Sequence, residues 1–273
     1  MSKQRVVVGG VVVGALSGLG GGLVYGGKRL LERQAAVARN LIGQPFGEPP
    51  KADKVYKKRY GQKLDLLIVG DSIAAGLGAE LPSDTLGARL AKGIAKRSRR
   101  AVRLRTAAVV GAESSMLAGQ LDGLPKNYRA DVAVIIVGGN DVTHRVPVDE
   151  AVRDLVAVVR RLQDAGTAVV VGTCPDLGAL KPVPQPLRTL GSAASRQLAA
   201  AQKKAVLELG ARAITLHDVV GHFFITDPEE MFSLDRFHPS GLGYRRTAKA
   251  ILPSVLAALG IADHVPFGHH APA

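Results

Sequence analysis

Residues 66–76 read Leu-Leu-Ile-Val-Gly-Asp-Ser-Ile-Ala-Ala-Gly. The apolar run from Leu66 to Val69 predicts a buried strand, and Gly70 ends it. Ser72 follows on a predicted turn between this strand and a helix. Such a turn places a hydroxyl at the carboxyl edge of the sheet, where open α/β proteins bind ligands, and aims the first N–H groups of the helix at any neighbouring anion. Taken alone, Ser72 is equally consistent with a helix N-cap.

Apolar runs and amphipathic segments alternate along the rest of the chain. After the first strand, four more are predicted, at 102–110, 132–137, 168–172 and 213–216. Helices are predicted at 28–39, 86–99 and 114–121, from Asp149 onward, and at 194–209 and 243–259. Most of the strands are solid apolar runs, which indicates a five-stranded parallel sheet covered by helices on both faces.

The basic charge of the chain is unevenly placed. The 273 residues carry a formal net charge of +13. Up to residue 60, eleven Lys or Arg stand against three Asp or Glu, a net charge of +8, and the remainder carries +5. We therefore expect a membrane surface as the partner of the basic segment. The basic run 96–105 has no interleaved aromatic residues on which bases could stack, so nucleic-acid binding is not expected.

Residues 6–27 contain no charged side chain, and these 22 residues include glycine at every fourth position from Gly10 to Gly26. As a helix the segment would span about 33 Å, the thickness of a bilayer core. In lipid, a glycine ladder lets a second helix approach closely, so we expect a transmembrane or signal anchor able to form a homodimer. The alternatives are a flexible leader or a cleaved signal peptide, which would leave a secreted protein. No small-x-small cleavage site precedes the basic flank, which favours the anchor.

The predicted organisation has five parts. A basic tail (1–5) and the apolar anchor (6–27) precede a basic helix with a Pro-rich linker (28–61). The globular domain spans 62–258, and the tail 259–273 is expected to be disordered despite its three histidines. The positive-inside rule gives no orientation, because basic residues flank the anchor on both sides. Cys174 is the single cysteine, so no intrachain disulfide can form.

Polar residues that could perform nucleophilic catalysis follow the predicted strands or lie in the last loop. Ser72 offers a hydroxyl that becomes a good nucleophile only when a base removes its proton. His238 is a natural base because its ordinary pKa lies near neutrality. Asp235, three residues earlier, can orient the imidazole and stabilise its charged form. The carboxyl ends of parallel strands share one edge of a sheet, so residues distant in sequence can meet there.

An acyl-transfer intermediate also needs donors for its oxyanion. The backbone N–H groups of Ser72 and Gly111 and the side-chain amide of Asn140 are suitable, each stabilising the transition state by roughly 3 kcal/mol. Each piece has a simpler interpretation as well: His238 as a loop residue, Gly138-Gly139 as a tight turn, and Asp141 as a helix cap. Their joint occurrence favours catalysis.

These motifs make the chain resemble the SGNH hydrolases, also called the GDSL esterase/lipase family. The motifs are GDS at 70–72, a glycine after the second strand at Gly111, GGND at 138–141 and DxxH at 235–238. The resemblance covers residues 62–258. It implies a flavodoxin-like three-layer α/β/α sandwich and hydrolysis of carboxylic esters or thioesters without a metal or other cofactor. It also implies Ser72, Asp235 and His238 as the triad, and Ser72, Gly111 and Asn140 as the oxyanion hole.

Two departures affect this assignment. Gly111 lies in the unusual context Val-Val-Gly-Ala-Glu-Ser-Ser, so Gly119 is an alternative oxyanion glycine. The Gly-x-Ser-x-Gly pattern is absent around Ser72, which disfavours a nucleophile elbow of the α/β-hydrolase type.

The sequence thus predicts a membrane-anchored serine esterase of the cell envelope, acting on lipids or acylated sugars. One alternative is an acyltransferase that uses the same triad, and another is a catalytically silent membrane scaffold. Three other histidines could in principle serve as the base: His144, His217 and His222. Neither His217 nor His222 has a carboxylate three residues before it, as His238 does.

Overall fold

The computed structural model describes residues 26–38 and 47–271, which contain a seven-stranded mixed sheet between two layers of helices. The strands are β1 (Val55–Tyr56), β2 (Lys63–Gly70), β3 (Ala101–Thr106), β4 (Val132–Ile136), β5 (Ala168–Gly172), β6 (Arg212–Ile214) and β7 (His269–His270). Their order across the sheet is β1-β3-β2-β4-β5-β6-β7. The five inner strands are parallel, as predicted, and follow the flavodoxin-like order.

Ten α-helices are found in the described part of the chain. They are α1 (26–38), α2 (Ser72–Ala75), α3 (Leu86–Ser98), α4 (Leu117–Asp122), α5 (Gly139–His144), α6 (Val148–Asp164), α7 (Leu187–Glu208), α8 (His222–Thr226), α9 (Pro228–Met231) and α10 (Gly241–Ala258). The π-helical turn His217–Gly221 leads directly into α8. Helix α7 begins at Leu187, seven residues before the predicted start at 194 and directly after the prolines Pro182, Pro184 and Pro186.

Alternate residues of the inner strands build a separate apolar core on each face of the sheet. In β2, Leu66 and Ile68 pack with α3 and α10, whereas Leu67 and Val69 pack with α4 and α6. All four side chains are fully buried. This two-sided burial explains why the strands read as continuous apolar runs. The α/β/α layering predicted from the sequence is therefore present.

The sheet differs from the prediction at its edges. Two short strands, β1 and β7, pair antiparallel with β3 and β6 respectively, so the sheet is mixed and has seven strands in the described residues. Neither two-residue strand is long enough to give a sequence pattern. Strand β3 ends at Thr106, four residues earlier than predicted, and Val109 and Val110 are exposed in the loop that follows.

The C-terminal tail was expected to be disordered, and this prediction is wrong for its described part. His269 and His270 form β7, and His269 Nδ1 lies 2.7 Å from Ser254 Oγ on α10. His270 Nε2 lies 3.2 Å from Thr215 Oγ1. The backbone pairing with β6 supplies partners that the tail sequence alone does not indicate.

The predicted anchor at 6–27 lies outside the described residues except for its last two, which belong to α1. Across 26–38 and 47–271, no helix is both long and apolar enough to cross a membrane. Helix α1 corresponds to the predicted basic helix, and Gln34 accepts a hydrogen bond of 3.1 Å from the backbone N–H of Leu187 at the start of α7.

Candidate active site

The turn after β2 requires a glycine. Gly70 has a φ of +136°, and a Cβ atom at this position would lie 1.8 Å from the carbonyl oxygen of Ile136 on β4. The side-chain amide of Gln120 holds this turn from the other side: its oxygen accepts the Gly70 N–H at 2.9 Å and its nitrogen donates to the Gly70 carbonyl at 2.8 Å. Both backbone polar groups of Gly70 are therefore hydrogen-bonded, which fixes the backbone that precedes Ser72.

Asp71, not Ser72, is the N-cap of the short helix α2. Its Oδ1 accepts the N–H of Ile73 at 2.9 Å, and Ser72 is the first helical residue. The N-cap interpretation of Ser72 is therefore wrong, because the adjacent carboxylate already takes that role. The Ser72 hydroxyl, buried at the foot of a pocket, is left to contact His238.

His238 and Asp235 lie in the loop between α9 and α10. The loop is closed by an antiparallel bridge between Phe232 and Pro239 and by a hydrogen bond of 2.8 Å from Ser233 N–H to the His238 carbonyl. His238 Nε2 lies 3.0 Å from Ser72 Oγ, and its Nδ1 lies 2.6 Å from Asp235 Oδ2. The structure thus brings the three predicted residues into one continuous hydrogen-bonded chain, although 166 residues separate the serine from the histidine.

The Asp235 carboxylate is saturated with donors. Its Oδ1 accepts the Ser233 hydroxyl at 2.7 Å and the backbone N–H groups of Phe237 and His238, each at 2.9 Å. Burial favours the neutral carboxyl, but the hydrogen bonds from His238, Ser233 and these backbone groups outweigh it and hold the pKa of Asp235 well below its ordinary value. Asp235 is therefore a fixed anion that faces the imidazole at neutral pH.

The other candidate histidines lie elsewhere in the described part of the chain. His144 Nδ1 pairs with Glu113 Oε1 at 2.6 Å on the surface. His222 is exposed and packs on the ring of Phe223, with centroids 3.8 Å apart. His217 lies in the pocket wall, but its near partner is Asp176. Among the described histidines, His238 is the one that contacts Ser72.

Of the predicted oxyanion donors besides Ser72, Asn140 shares the pocket with the serine, and Gly111 lies in the loop after β3. Asn140, at the start of α5, lines the pocket with Ser72, and its amide nitrogen donates to the Ala112 carbonyl at 3.0 Å. Gly111, next to Ala112, sits in an exposed turn with a φ of +81°. Gly119, the alternative glycine, lies inside α4. Asn140 and the Gly111 loop are therefore joined by a direct hydrogen bond.

Three buried polar residues of this region have structural roles that the sequence did not reveal. Besides Gln120 and Asp71, Asp141 accepts the backbone N–H of Ser114 with both carboxylate oxygens, at 3.0 and 3.2 Å. It holds the turn after Gly111 and is not the cap of its own helix, α5, whose N-cap is Gly138. Gln120 and Asp141 bind residues that lie 50 and 27 positions away, so no local spacing rule indicates their partners.

Protonation of Asp71 is expected to make stability depend on pH. Burial raises the pKa of Asp71 to about 7, so the folded state keeps a proton that the unfolded chain loses near 3.8. Because the folded state then binds more protons between these values, this residue lowers stability as pH rises from about 4 to 7. Asp71→Asn keeps a capping side chain and should be more stable than the wild type at pH 8, by up to about 4 kcal/mol, and equally stable near pH 4.

Urea unfolding of both proteins at the two pH values measures this difference. An equal difference at pH 4 and pH 8 would mean that Asp71 is already ionised in the folded protein.

A largely apolar pocket opens beside Ser72 on the β5 and β6 side of the sheet. Its volume is about 790 Å³, including the space at its open mouth. Its apolar wall comes from three segments: the residues after β5, the residues after β6, and the loop that carries Asp235 and His238. The wall includes Leu177, Leu180, Leu216, Val220, Phe224 and Phe237. The pocket can hold an apolar group directly beside the serine hydroxyl.

Comparisons with known proteins identify the family of the chain. Residues 68–246 match the GDSL-like lipase/acylhydrolase family. A GDSL-like esterase from Mycobacterium tuberculosis is 36% identical over 280 residues, covering 98% of this chain and 88% of that protein. The chain therefore belongs to the GDSL, or SGNH, family and is a carboxylic ester hydrolase of that type.

Solved structures share the fold at low sequence identity. A lipase/acylhydrolase from Enterococcus faecalis superposes with a TM-score of 0.58 at 20% identity, over 74% of this chain and 100% of that one. A variant of an acetyl xylan esterase from Geobacillus stearothermophilus gives a TM-score of 0.55 at 18% identity, over 76% of this chain and 98% of that one.

Proposed function

We propose that Ser72 is the nucleophile of a serine esterase that works through an acyl-enzyme, with His238 as the base and Asp235 as its partner. The observation that carries this proposal is the uninterrupted chain of contacts from Ser72 Oγ through both ring nitrogens of His238 to the Asp235 carboxylate. The carboxylate fixes the proton on Nδ1, so that Nε2 faces the serine with a free lone pair.

The proposed reaction has two halves. His238 Nε2 takes the hydroxyl proton as Ser72 Oγ bonds to the ester carbonyl carbon, and the carbonyl oxygen becomes an oxyanion. The N–H groups of Ser72 and Gly111 and the Asn140 amide stabilise that oxyanion. The imidazolium returns the proton to the leaving alcohol or thiol as the carbon–oxygen or carbon–sulfur bond breaks. Water, deprotonated by His238, then attacks the acyl carbon, and the imidazolium returns that proton to Ser72 Oγ as the bond from Oγ to the acyl carbon breaks and the acid leaves.

The pocket supports esters with an apolar part as the substrates. Its wall carries apolar side chains from three loops, and the Ser72 hydroxyl lies at its foot. Burial of an alkyl group there would stabilise the complex by roughly 0.8 kcal/mol for each methylene. We extend the proposal to carboxylic or thio esters of lipids or acylated sugars. An acyltransferase would use the same residues, and product analysis with added alcohols measures that branch.

Covalent labelling tests the nucleophile. A fluorophosphonate probe should form one adduct, on Ser72. The rate of p-nitrophenyl acetate hydrolysis should fall in proportion to the fraction of protein labelled. Ser72→Ala should neither label nor hydrolyse the ester, and Ser114→Ala, which changes a buried serine outside the triad, should label normally. Peptide mass spectrometry that locates the adduct on another residue, or finds active protein without any adduct, would contradict the assignment.

We also propose that residues 6–27 tether the esterase to a membrane of the cell envelope and pair with a second copy through the glycine ladder. The support is the uncharged 22-residue stretch and its four-residue glycine repeat. Full-length protein in isolated membranes should resist extraction by high salt and alkaline carbonate and require detergent. Complete release by carbonate alone would mean that the segment does not span the bilayer.

A further inference from the structure

A second Asp–His pair lies in the wall of the same pocket. His217, at the start of the turn after β6, and Asp176, in the loop after β5, both line the pocket that holds Ser72. His217 Nδ1 lies 3.1 Å from Asp176 Oδ2. The catalytic roles proposed above use neither residue. Each belongs to a loop that shapes the space for the substrate.

Asp176 is a rigid anion. Burial favours its neutral form, but hydrogen bonds from Ser192, the Gly178 N–H and Arg196 outweigh burial and lower its pKa. The Gly178 N–H donates to Oδ1 at 2.7 Å, and Arg196 Nε donates to Oδ2 at 2.9 Å. The carboxylate is thus held from several sides and cannot turn away from His217.

His217 is the incompletely paired member. Its Nδ1 is buried and has no hydrogen-bond partner among the described residues, because the short contact with Asp176 is out of line. The ring as a whole keeps about a quarter of its surface exposed, at 28%, so the exposed part is the side away from Nδ1. The χ2 torsion of histidine is soft, and a modest rotation would align Nδ1 with the carboxylate. A ligand that holds the ring in that rotation would complete both contacts.

The surrounding pocket restricts what that ligand group can be. A carboxylate would meet the charge of Asp176, and an ammonium would lose its hydration among apolar side chains. A hydroxyl both donates and accepts, so it can pair with an imidazole nitrogen that carries a proton or with one that does not. We propose that His217, positioned by Asp176, binds a hydroxyl group on the ester substrate, so the preferred substrates are hydroxylated esters. This inference rests on the proposed esterase function.

Matched ester pairs test the subsite in the full-length protein. Methyl butyrate and methyl 3-hydroxybutyrate differ by one hydroxyl on the acyl side of the ester. Propyl acetate and 2-hydroxypropyl acetate differ by one hydroxyl on the alcohol side. Acid release gives kcat/KM for each ester. His217→Phe keeps the ring volume and removes both nitrogens, and His222→Phe makes the same change at an exposed histidine outside the pocket.

We expect the wild type to prefer the hydroxylated member of one pair by roughly tenfold, the value of one hydrogen bond in a buried site. The pair that shows the preference identifies the side of the ester that enters the pocket. His217→Phe should reduce the ratio to about one by losing activity on the hydroxylated ester alone, and His222→Phe should keep the wild-type ratio.

Two results would overturn the subsite: a wild-type enzyme without preference in either pair, or a His217→Phe variant that keeps the preference or loses activity equally on both esters. Ser72→Ala, assayed beside them, separates this from the catalytic proposal. If Ser72→Ala still hydrolyses these esters, the proposed function itself fails. If hydrolysis depends on Ser72 but is equally fast with and without the substrate hydroxyl, only the proposed recognition role of His217 is wrong.

Discussion

His238→Ala is expected to lower kcat for ester hydrolysis by about 10⁴-fold or more, with little change in KM. The imidazole would take the Ser72 proton in acylation and the proton of water in deacylation, so both halves of the reaction lose their base. The contact of 3.0 Å between Nε2 and Ser72 Oγ is direct, and no other described histidine lies within hydrogen-bond distance of this hydroxyl. His217 lies in the wall of the same pocket but faces Asp176, so among the described residues His238 is the imidazole in contact with the serine.

Matched variants at two other histidines serve as controls. His144→Ala and His222→Ala remove surface imidazoles that contact Glu113 and Phe223, and both should keep most of the activity on p-nitrophenyl acetate. Steady-state kinetics of the three variants decides between the histidines. If His238→Ala keeps more than about a tenth of the wild-type kcat while one of the others loses activity, the assignment of the base is wrong.

Asp235→Asn is expected to lower kcat by roughly 10³- to 10⁴-fold. The amide oxygen can still accept the backbone N–H groups of Phe237 and His238, so the loop should keep its shape. Activity is lost because of the change at the other oxygen. In the wild type this charged oxygen accepts the hydrogen bond from His238 Nδ1, and in the variant an amide nitrogen, which can only donate, takes its place. An amide there favours the wrong tautomer, with the proton on the nitrogen that faces Ser72.

The double variant makes the second prediction specific. Because the members of a triad act as a unit, Asp235→Asn combined with His238→Ala should lose little more than His238→Ala alone. Multiplicative losses would mean that Asp235 acts independently of His238.

Folding of these variants is best checked at pH 8 by thermal unfolding. Asp235 has a lowered pKa in the folded state, so its stabilising contribution is fully present above pH 4 and is lost only as pH falls further.

The sequence predicted the parts of the fold that repeat a simple pattern. The central strands β4 and β5 are apolar on both faces, and helix α6 begins within one residue of the predicted start. The three residues proposed as a triad were also named from the sequence, because GDS and DxxH are short motifs whose members lie within three residues of each other, and the structure places these residues in contact. The flavodoxin-like strand order follows from the family resemblance and agrees with the structure.

The remaining features depend on partners that are distant in sequence. Gln120 supports Gly70 across 50 residues, and Asp141 holds Ser114 across 27. A single buried glutamine or aspartate gives no periodic signal, so only the three-dimensional arrangement identifies its partner. The Asp176–His217 pair is of the same kind. From sequence spacing, His217 was not chosen as the base because no carboxylate lies three residues before it. In the structure its carboxylate partner, Asp176, comes from another loop.

The two antiparallel edge strands also bear on solubility. A parallel sheet exposes unpaired N–H and C=O groups along both outer strands, which is a template for strands of other molecules. β1 covers one side of β3 and β7 covers one side of β6, and each is only two residues long. An incoming strand therefore finds little exposed backbone to pair with at either margin. Because β7 is made more than fifty residues after β6, the β6 margin stays open during synthesis until residue 270 has emerged. Shortening the chain before His269 would leave that margin open in the finished protein and favour aggregation.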